Sequence, residues 1–282
     1  MSGSFVSILL FMLSSPAKQQ NARSESNEIT VQHGTLILLG ISKTDITLAA
    51  DTEHSSEALG SRKGANKITQ VGKEGACTLN NAASLGNGAD KADFSKVIKK
   101  WATDHPAATV REASPALQHK IMDEYDRYMA SHTSLLKGPV TVSITCVGYE
   151  FGSPVVFPSE VHFANFARPY AASLPLELSR GLVGAFYPYG QLEVCNELIS
   201  GTGPLLSRYR AQAIVQKYAR LKSEKKTAEF TTEEFIQLSK ACLEATESPS
   251  GRRFDPNSKY VGPPNDYVVI SDKNGFRRLS IH

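Results

Sequence analysis

The sequence predicts an α/β fold of the α+β kind, built from layered sheets and helices. Residues 35–41 and 46–50 are almost entirely apolar and are separated by the polar cluster 42–45, a pattern typical of a hairpin whose strands are buried on both faces. A sheet that is covered on both faces needs helices or a second sheet outside it. Periodic apolar stretches elsewhere in the chain provide candidate helices.

The register of this hairpin brings a threonine near an aspartate. With the turn centred in 42–45, Thr35 at the start of the first strand lies across from Asp51 or Thr52 at the end of the second. Lys67 opens the next apolar stretch, where a lysine is ordinarily a solvated strand end.

The remaining elements follow from apolar periodicity and turn residues. Strands are predicted at 67–71, 74–79, 140–149, 154–157, 267–270 and 276–281, and helices in two stretches between 88 and 133 and at 204–222 and 232–247. Pro106 divides the first two helices, and the second of them carries Leu117, Ile121, Tyr125 and Met129 four residues apart, which predicts packing on a sheet. The stretch 168–195 fits no element, and an insertion that contacts a neighbouring subunit would explain it.

Composition excludes several classes of function. Of the 282 residues 41% are hydrophobic, which is enough for a sizeable core. The net charge of +3 gives no strong basic field, so nucleic-acid binding has no support. No apolar run approaches the roughly 20 residues of a spanning helix, so we predict no membrane span. The four cysteines form no C-x-x-C pair and no metal-ligand spacing, so we predict neither a metal nor a cofactor.

The N-terminal segment has the pattern of a secretory signal. Residues 5–13 are apolar, and the small residues Ser15 and Ala17 follow them, as before a cleavage site. No lysine or arginine precedes the apolar stretch, so a short pro-segment or a misplaced start codon is the alternative. We therefore divide the chain into a signal peptide and/or pro-segment at 1–34 and a folded domain at 35–282. Export to a periplasmic or secreted location is expected, with a cytoplasmic location as the alternative.

Three motifs together resemble the proteasome β-subunit family. They are Gly34-Thr35, Leu48-Ala-Ala-Asp51 and Lys67-Ile68, with sixteen residues from Thr35 to Asp51 and sixteen more to Lys67. The resemblance implies the N-terminal nucleophile hydrolase fold, a four-layer αββα sandwich of two mostly antiparallel sheets. It also implies a threonine-type peptidase activated by autolytic cleavage between Gly34 and Thr35. Peptides or unfolded proteins would be the substrates, and a homo-oligomeric ring would be the assembly.

The chemistry of such a site explains the residue types. A threonine hydroxyl needs a base, and a freed α-amine with a pKa near 8 can act as one at neutral pH. The Lys67 ammonium would lower the pKa of that amine by like-charge repulsion, and Asp51 would hold Lys67. The resemblance places the oxyanion donor at the backbone N–H of Asn81, where the family usually has glycine.

Two later segments resemble further catalytic motifs of the family. Thr202 stands in the serine's place of a glycine–serine–glycine stretch, and Glu247 and Ser250 match an aspartate-x-x-serine-glycine stretch, with Glu247 in the aspartate's place. The extra methylene of Glu247 would shift its oxygen by about an ångström, a displacement that can cost on the order of 100-fold in rate. Without the resemblance, Thr202 and Ser250 would be ordinary turn and cap residues.

The resemblance also implies the substrate-binding residues. His54, Ala65, Leu79 and Ala83 match positions that line the primary specificity pocket, which indicates an apolar pocket of moderate size. Ser55 matches the residue that pairs main chain to main chain with an extended substrate. Two alternatives stay open: a non-catalytic structural subunit of a proteasome-like ring, and an N-terminal nucleophile amidase that cleaves small amides.

Overall fold

The structure, a computed structural model, describes residues 31–32, 35–52, 54–56, 60–62, 67–86, 91–132, 140–163, 170–172, 177–200 and 206–280. The predicted signal sequence, with its apolar stretch 5–13, lies outside the described residues. The strands are β1 (Val31–Gln32), β2 (Leu36–Ile41), β3 (Asp45–Asp51), β4 (His54–Ser56), β5 (Gly60–Arg62), β6 (Ile68–Val71), β7 (Gly75–Asn81), β8 (Ser84–Leu85), β9 (Ala92–Asp93), β10 (Val140–Glu150), β11 (Ser153–Phe163), β12 (Tyr170–Ala172), β13 (Phe186–Gly190), β14 (Asn265–Ser271) and β15 (Gly275–Leu279). The helices are α1 (Phe94–Asp104), α2 (Val110–Ser131), α3 (Glu193–Ser200), α4 (Ser207–Arg210), α5 (Ala213–Ser223), α6 (Thr232–Glu247) and α7 (Pro249–Phe254).

Two five-stranded sheets form the centre of the molecule. The first sheet has the order β13–β2–β3–β14–β15, and the second has the order β12–β11–β10–β7–β6. Neighbouring strands are antiparallel in both. A smaller sheet, β1–β8–β9, and the pair β4–β5 accompany them. The mixed α+β class with antiparallel sheets is therefore confirmed.

The apolar strands are buried on both faces because each sheet packs against a different neighbour on each side. In β2, Ile37 and Leu39 face the second sheet, whereas Leu36 and Leu38 face α3, α5 and α6. The outer face of the second sheet packs against α1 and α2. The absence of polar alternation in residues 35–41 follows directly from this layering.

Most of the predicted helices and hairpins are present. The first hairpin pairs Ile37 with Ala50, as the turn in 42–45 predicts, and α6 spans the predicted 232–247. A capping box begins α6, with the Thr231 side chain accepting from the Glu234 N–H and the Glu234 carboxylate accepting from the Thr231 N–H. The predicted helical stripe of α2 is buried at Leu117, Ile121 and Tyr125, and Met129 packs against it.

Two predictions were wrong in detail. The single helix predicted at 204–222 is two helices, α4 and α5, and α3 precedes them. The stretch 168–195, interpreted as an insertion, contributes β13 to the first sheet, where it pairs with β2. Because β13 is an edge strand that contains Pro188, it carries little of the apolar alternation by which strands are recognised.

The cysteines adopt both states that the sequence left open. Cys77 and Cys146 form a disulfide between the paired strands β7 and β10, while Cys195 and Cys242 are buried thiols. In the part of the chain that the structure describes, no group of three or more His, Cys, Asp or Glu side chains could hold a metal ion. No helix among the described residues is long and apolar enough to cross a membrane.

Candidate active site

A buried ion pair joins the two sheets near the start of β2. The Lys67 ammonium donates to Asp51 Oδ2 at 2.8 Å, and the two side chains are 2% and 0% exposed. Asp51 ends β3 of the first sheet, and Lys67 directly precedes β6 of the second. Removing one partner of such a pair costs about 3–5 kcal/mol, because it leaves a buried charge without compensation. Two charged groups at this depth therefore mark a candidate site rather than a solvated strand end.

Thr35 lies beside this pair. The pairing of Ile37 with Ala50 extends to place Leu36 opposite Asp51 and Thr35 opposite Thr52. The Leu36 N–H donates to Asp51 Oδ1 at 2.7 Å, so the carboxylate that holds Lys67 also holds the residue after Thr35. Thr35 is itself 2% exposed.

Burial and hydrogen-bond donors act on the pKa of Asp51 in opposite directions, and burial has the larger effect. Burial raises the pKa of Asp51, because a low-dielectric surrounding disfavours the charged form. The Lys67 ammonium and the N–H groups of Leu36 and Gly262 act against that rise. Both carboxylate oxygens are thus used, one by the main-chain N–H of Leu36 at the start of β2 and the other by the Lys67 ammonium.

Glu247 adds a second carboxyl group to this neighbourhood. It ends α6, and burial raises its pKa, with the Asp51 charge raising it further. Asn265, which lies across from Asp51 in the pairing of β14 with β3, donates to Glu247 and partly offsets the rise. Within the described residues, Glu247 Oε1 and Asn265 Oδ1 are buried without a hydrogen-bond partner.

Asn81 occupies a backbone conformation that explains its residue type. Its φ of +64° lies in the left-handed region, which glycine and asparagine adopt more readily than other residues. The side chain donates from Nδ2 to Ser143 Oγ at 2.8 Å and is thereby held against β10. Asparagine at 81 is thus compatible with the turn that follows β7.

Ser250 lies in the first turn of α7, directly after the helix that ends in Glu247. Its neighbour Gly251 allows α7 to pack on α6, because a Cβ at that position would lie 2.1 Å from Ala245 O. Ser248 caps α7 by accepting from the Gly251 N–H at 3.0 Å. The described contacts thus place Ser250 at the α6–α7 junction and do not join its hydroxyl to Thr35.

Several predicted site residues lie outside the described part of the chain. They are Gly34, Ala65 and Thr202. His54 and Ser55 are described only as backbone, in β4. Leu79 and Ala83 are 4% and 8% exposed and belong to the hydrophobic cluster under α1 and α2.

A strand from the predicted pro-segment lies next to β4. Val31 and Gln32 form β1, which pairs antiparallel with Leu85 and Ser84 of β8 and also lies beside β4. A short extended segment of the predicted pro-segment therefore pairs with one strand of the folded domain and lies near another. A strand edge of this kind can hold a peptide main chain by strand addition.

Sequence reasoning missed Gly190, which shapes the surroundings of Thr35. The Thr35 carbonyl accepts from the Gln191 N–H at 2.9 Å, and a Cβ on Gly190 would lie 1.9 Å from the same oxygen. Gly190 has φ +83°, and the same Cβ position is 3.7 Å from Asn80 Cβ. Glycine at the end of the aromatic stretch 186–190 was the available signal for this close approach.

Comparison with protein-family models finds no match, and no curated protein is significantly similar to the chain. The function is therefore argued from the geometry of these residues.

Proposed function

We propose that this protein is a threonine-type peptidase with the N-terminal nucleophile hydrolase fold, activated by cleavage between Gly34 and Thr35. The observation that carries the proposal is the buried Lys67–Asp51 pair, whose carboxylate also accepts from the N–H of the residue after Thr35. An ion pair with this burial has a high desolvation cost, and function is a common reason for such a cost. Two five-stranded antiparallel sheets between helical layers are consistent with the fold.

The proposed mechanism assigns one task to each group. The Thr35 hydroxyl attacks the substrate carbonyl while the α-amine of the same residue takes its proton. Lys67 disfavours the ammonium form of that amine, and Asp51 fixes Lys67. The Asn81 N–H stabilises the oxyanion, and the amine then returns the proton to the leaving nitrogen. Water finally hydrolyses the ester at Thr35.

The position of β1 supports a peptide as substrate. A segment upstream of the scissile bond pairs with β8 through its main chain, and main-chain pairing is largely independent of side-chain identity. Removal of the upstream segment would free the same strand edge for a substrate. This arrangement favours a peptidase over an amidase that acts on small amides.

We also propose that the protein is exported and assembles into a homo-oligomeric ring. The Cys77–Cys146 disulfide supports export, because disulfides persist in oxidising compartments. The ring follows from the resemblance to proteasome β-subunits.

The test is a comparison of three variants with the wild type in processing and peptide hydrolysis. Thr35→Ala is expected to stop cleavage at Gly34–Thr35 and hydrolysis of fluorogenic peptides, and Thr35→Ser to keep measurable activity. Thr47→Val is the matched control, because Thr47 is an equally buried threonine (2% exposed) at the other end of the same hairpin. This variant is expected to be processed and active.

Three results would overturn the proposal. Hydrolysis by Thr35→Ala at the wild-type rate would exclude Thr35 as the nucleophile. A wild-type chain with Gly34–Thr35 uncleaved and no hydrolysis would favour a non-catalytic subunit. Cleavage of small acyl amides without cleavage of peptides would favour the amidase.

A further inference from the structure

We propose that Arg278 is a positioning residue for the Lys67–Asp51 pair, holding β6 against the first sheet so that the ammonium stays beside the nucleophile. This inference rests on the proposed function, since it concerns the same site. Arg278 lies on β15, the edge strand of the first sheet, and it acts through Lys67 rather than on the substrate.

Arg278 makes contacts on both sheets. Its Nη1 pairs with Asp266 Oδ2 on β14, and its Nη2 donates to the Ile68 carbonyl on β6 at 3.0 Å. The guanidinium carbon also lies 5.9 Å from the centre of the Phe276 ring. Arg278 is the register partner of Val268, which faces the space between the sheets, so its side chain leaves β15 on that face.

The two hydrogen-bond partners of Arg278 lie close to the Lys67–Asp51 pair. Asp266 is paired with Ala50, the residue before Asp51. Ile68 follows Lys67 directly. The guanidinium thus links the start of β6, next to Lys67, to β14, the strand that pairs with the Asp51-bearing strand β3.

Lys67 directly precedes β6, a short strand that pairs with β7 along one edge. β6 has four residues and is the edge strand of the second sheet, with β7 as its neighbour there. The Lys67 carbonyl accepts from the Leu79 N–H at 3.4 Å, which is long for such a bond. The hydrogen bond from Arg278 to the Ile68 carbonyl therefore restrains β6 at its first residue, directly after Lys67.

Asp266, the carboxylate partner of Arg278, is buried. Its side chain is 8% exposed, and burial raises the pKa of its carboxyl while the Arg278 charge opposes that rise. A guanidinium can reach a carboxylate and a carbonyl at once with two N–H groups in a fixed fork, whereas an ammonium is a point donor. Lysine at 278 is accordingly expected to make these two contacts only in part.

The experiment compares Arg278→Gln and Arg278→Lys with Arg277→Gln, an exposed arginine on the same strand. The first readout is the pH profile of peptide hydrolysis. A displaced Lys67 lowers the α-amine pKa less, so the acidic limb should move to higher pH, with a rate loss of about 10–100-fold at neutral pH for Arg278→Gln. Arg278→Lys should be intermediate, and Arg277→Gln should match the wild type.

The second readout needs no activity. Amide hydrogen exchange over residues 67–71 should accelerate in Arg278→Gln and not in Arg277→Gln. A lower thermal midpoint in Arg278→Gln with an unmoved acidic limb and unchanged exchange would overturn the positioning role. If the wild type itself neither cleaves Gly34–Thr35 nor hydrolyses peptides, the proposed function fails. That result is distinct from failure of the positioning role, because hydrogen exchange over residues 67–71 reports on the contacts of Arg278 without requiring activity.

Discussion

The Lys67 ammonium can be buried because the Asp51 carboxylate lies within hydrogen-bond distance of it. The Asp51 carboxylate that matches it also accepts from Leu36 and Gly262, so the ion pair is one part of a satisfied network. An apolar pair of similar volume would be at least as stable. The proposed reaction, rather than stability, would therefore account for retaining both charges.

Replacing Lys67 alone should be more harmful than replacing both partners. Lys67→Met is expected to lower the free energy of unfolding by about 3–5 kcal/mol, since it leaves the Asp51 charge buried and uncompensated. The double variant Lys67→Met/Asp51→Asn should lose less, because the asparagine oxygen can still accept from Leu36. Urea unfolding at pH 7 measures both, and peptide hydrolysis should vanish in both. A single variant as stable as the double would contradict this account.

Glu247 should make stability depend on pH in a specific direction. Burial, with a smaller contribution from the Asp51 charge, raises its pKa in the folded state above the ordinary value of 4.5. Between those two pKa values the folded state binds more protons than the unfolded state, so stability falls as pH rises through that window. Glu247→Gln should remove this fall. The urea midpoint of the variant should therefore rise relative to that of the wild type as the pH increases from 4 to 7. A constant difference would show that Glu247 is not perturbed.

At the scale of elements, the end of β13 and the start of β2 fit only if residue 190 lacks a side chain. Gly190 has a positive φ, and its Cα faces the Thr35 carbonyl that Gln191 also contacts. Gly181 also has a positive φ, +67°, but a Cβ there would meet nothing within 4 Å. A comparison of substitutions at Gly181 and Gly190 therefore distinguishes the effect of a positive φ from that of a steric clash.

Alanine at these two glycines should therefore have unequal effects. Gly181→Ala is expected to cost about 1 kcal/mol of stability from its backbone conformation and to leave peptide hydrolysis unchanged. Gly190→Ala adds a clash with the Thr35 carbonyl, so it should cost more and slow both processing and hydrolysis. Urea unfolding and peptide assays on the two variants measure the difference. Equal losses in both would show that the close approach at Thr35 has no importance.

The elements that the sequence predicts well are those with local signals. The helices α2 and α6 have apolar periodicity, and each begins with a capping box. The first and last hairpins have polar turns between apolar strands. β13 was missed because it has little apolar alternation of its own, and its pairing with β2, far away in sequence, leaves no local signal. Arg278 was missed for the same reason, since it contacts Ile68 across 210 residues. The positions of Thr35, Asp51 and Lys67 were predicted from spacing and resemblance, but the donors around Asp51 required the fold.

At the scale of the molecule, an apolar core holds the two sheets together. A disulfide links two strands within the second sheet. Ile37 and Leu39 of the first sheet pack in that core on Ala76 and Val147 of the second. The Cys77–Cys146 disulfide closes a loop of 69 residues that contains α1 and α2. The core between the sheets therefore lies behind the candidate site, whereas the disulfide links β7 to β10 on the face of the second sheet that packs against α1 and α2.

The disulfide should contribute measurably to stability. Cys77→Ala/Cys146→Ala is expected to lower the free energy of unfolding by about 2–4 kcal/mol, because the open loop gains entropy when unfolded. Urea unfolding measures the loss, and reductant should lower the midpoint of the wild type but not that of the double variant. Alkylation of denatured wild-type protein without reductant should modify two cysteines, Cys195 and Cys242. Modification of all four would contradict the pairing.

The mature N-terminus tests the central claim most directly. Intact-mass measurement of the purified wild-type protein should give a chain that begins at Thr35, and Thr35→Ala expressed in the same way should retain Gly34. A wild-type chain that continues through Gly34 into residues 18–33 would leave Thr35 without a free amine, and the proposed mechanism would then be wrong.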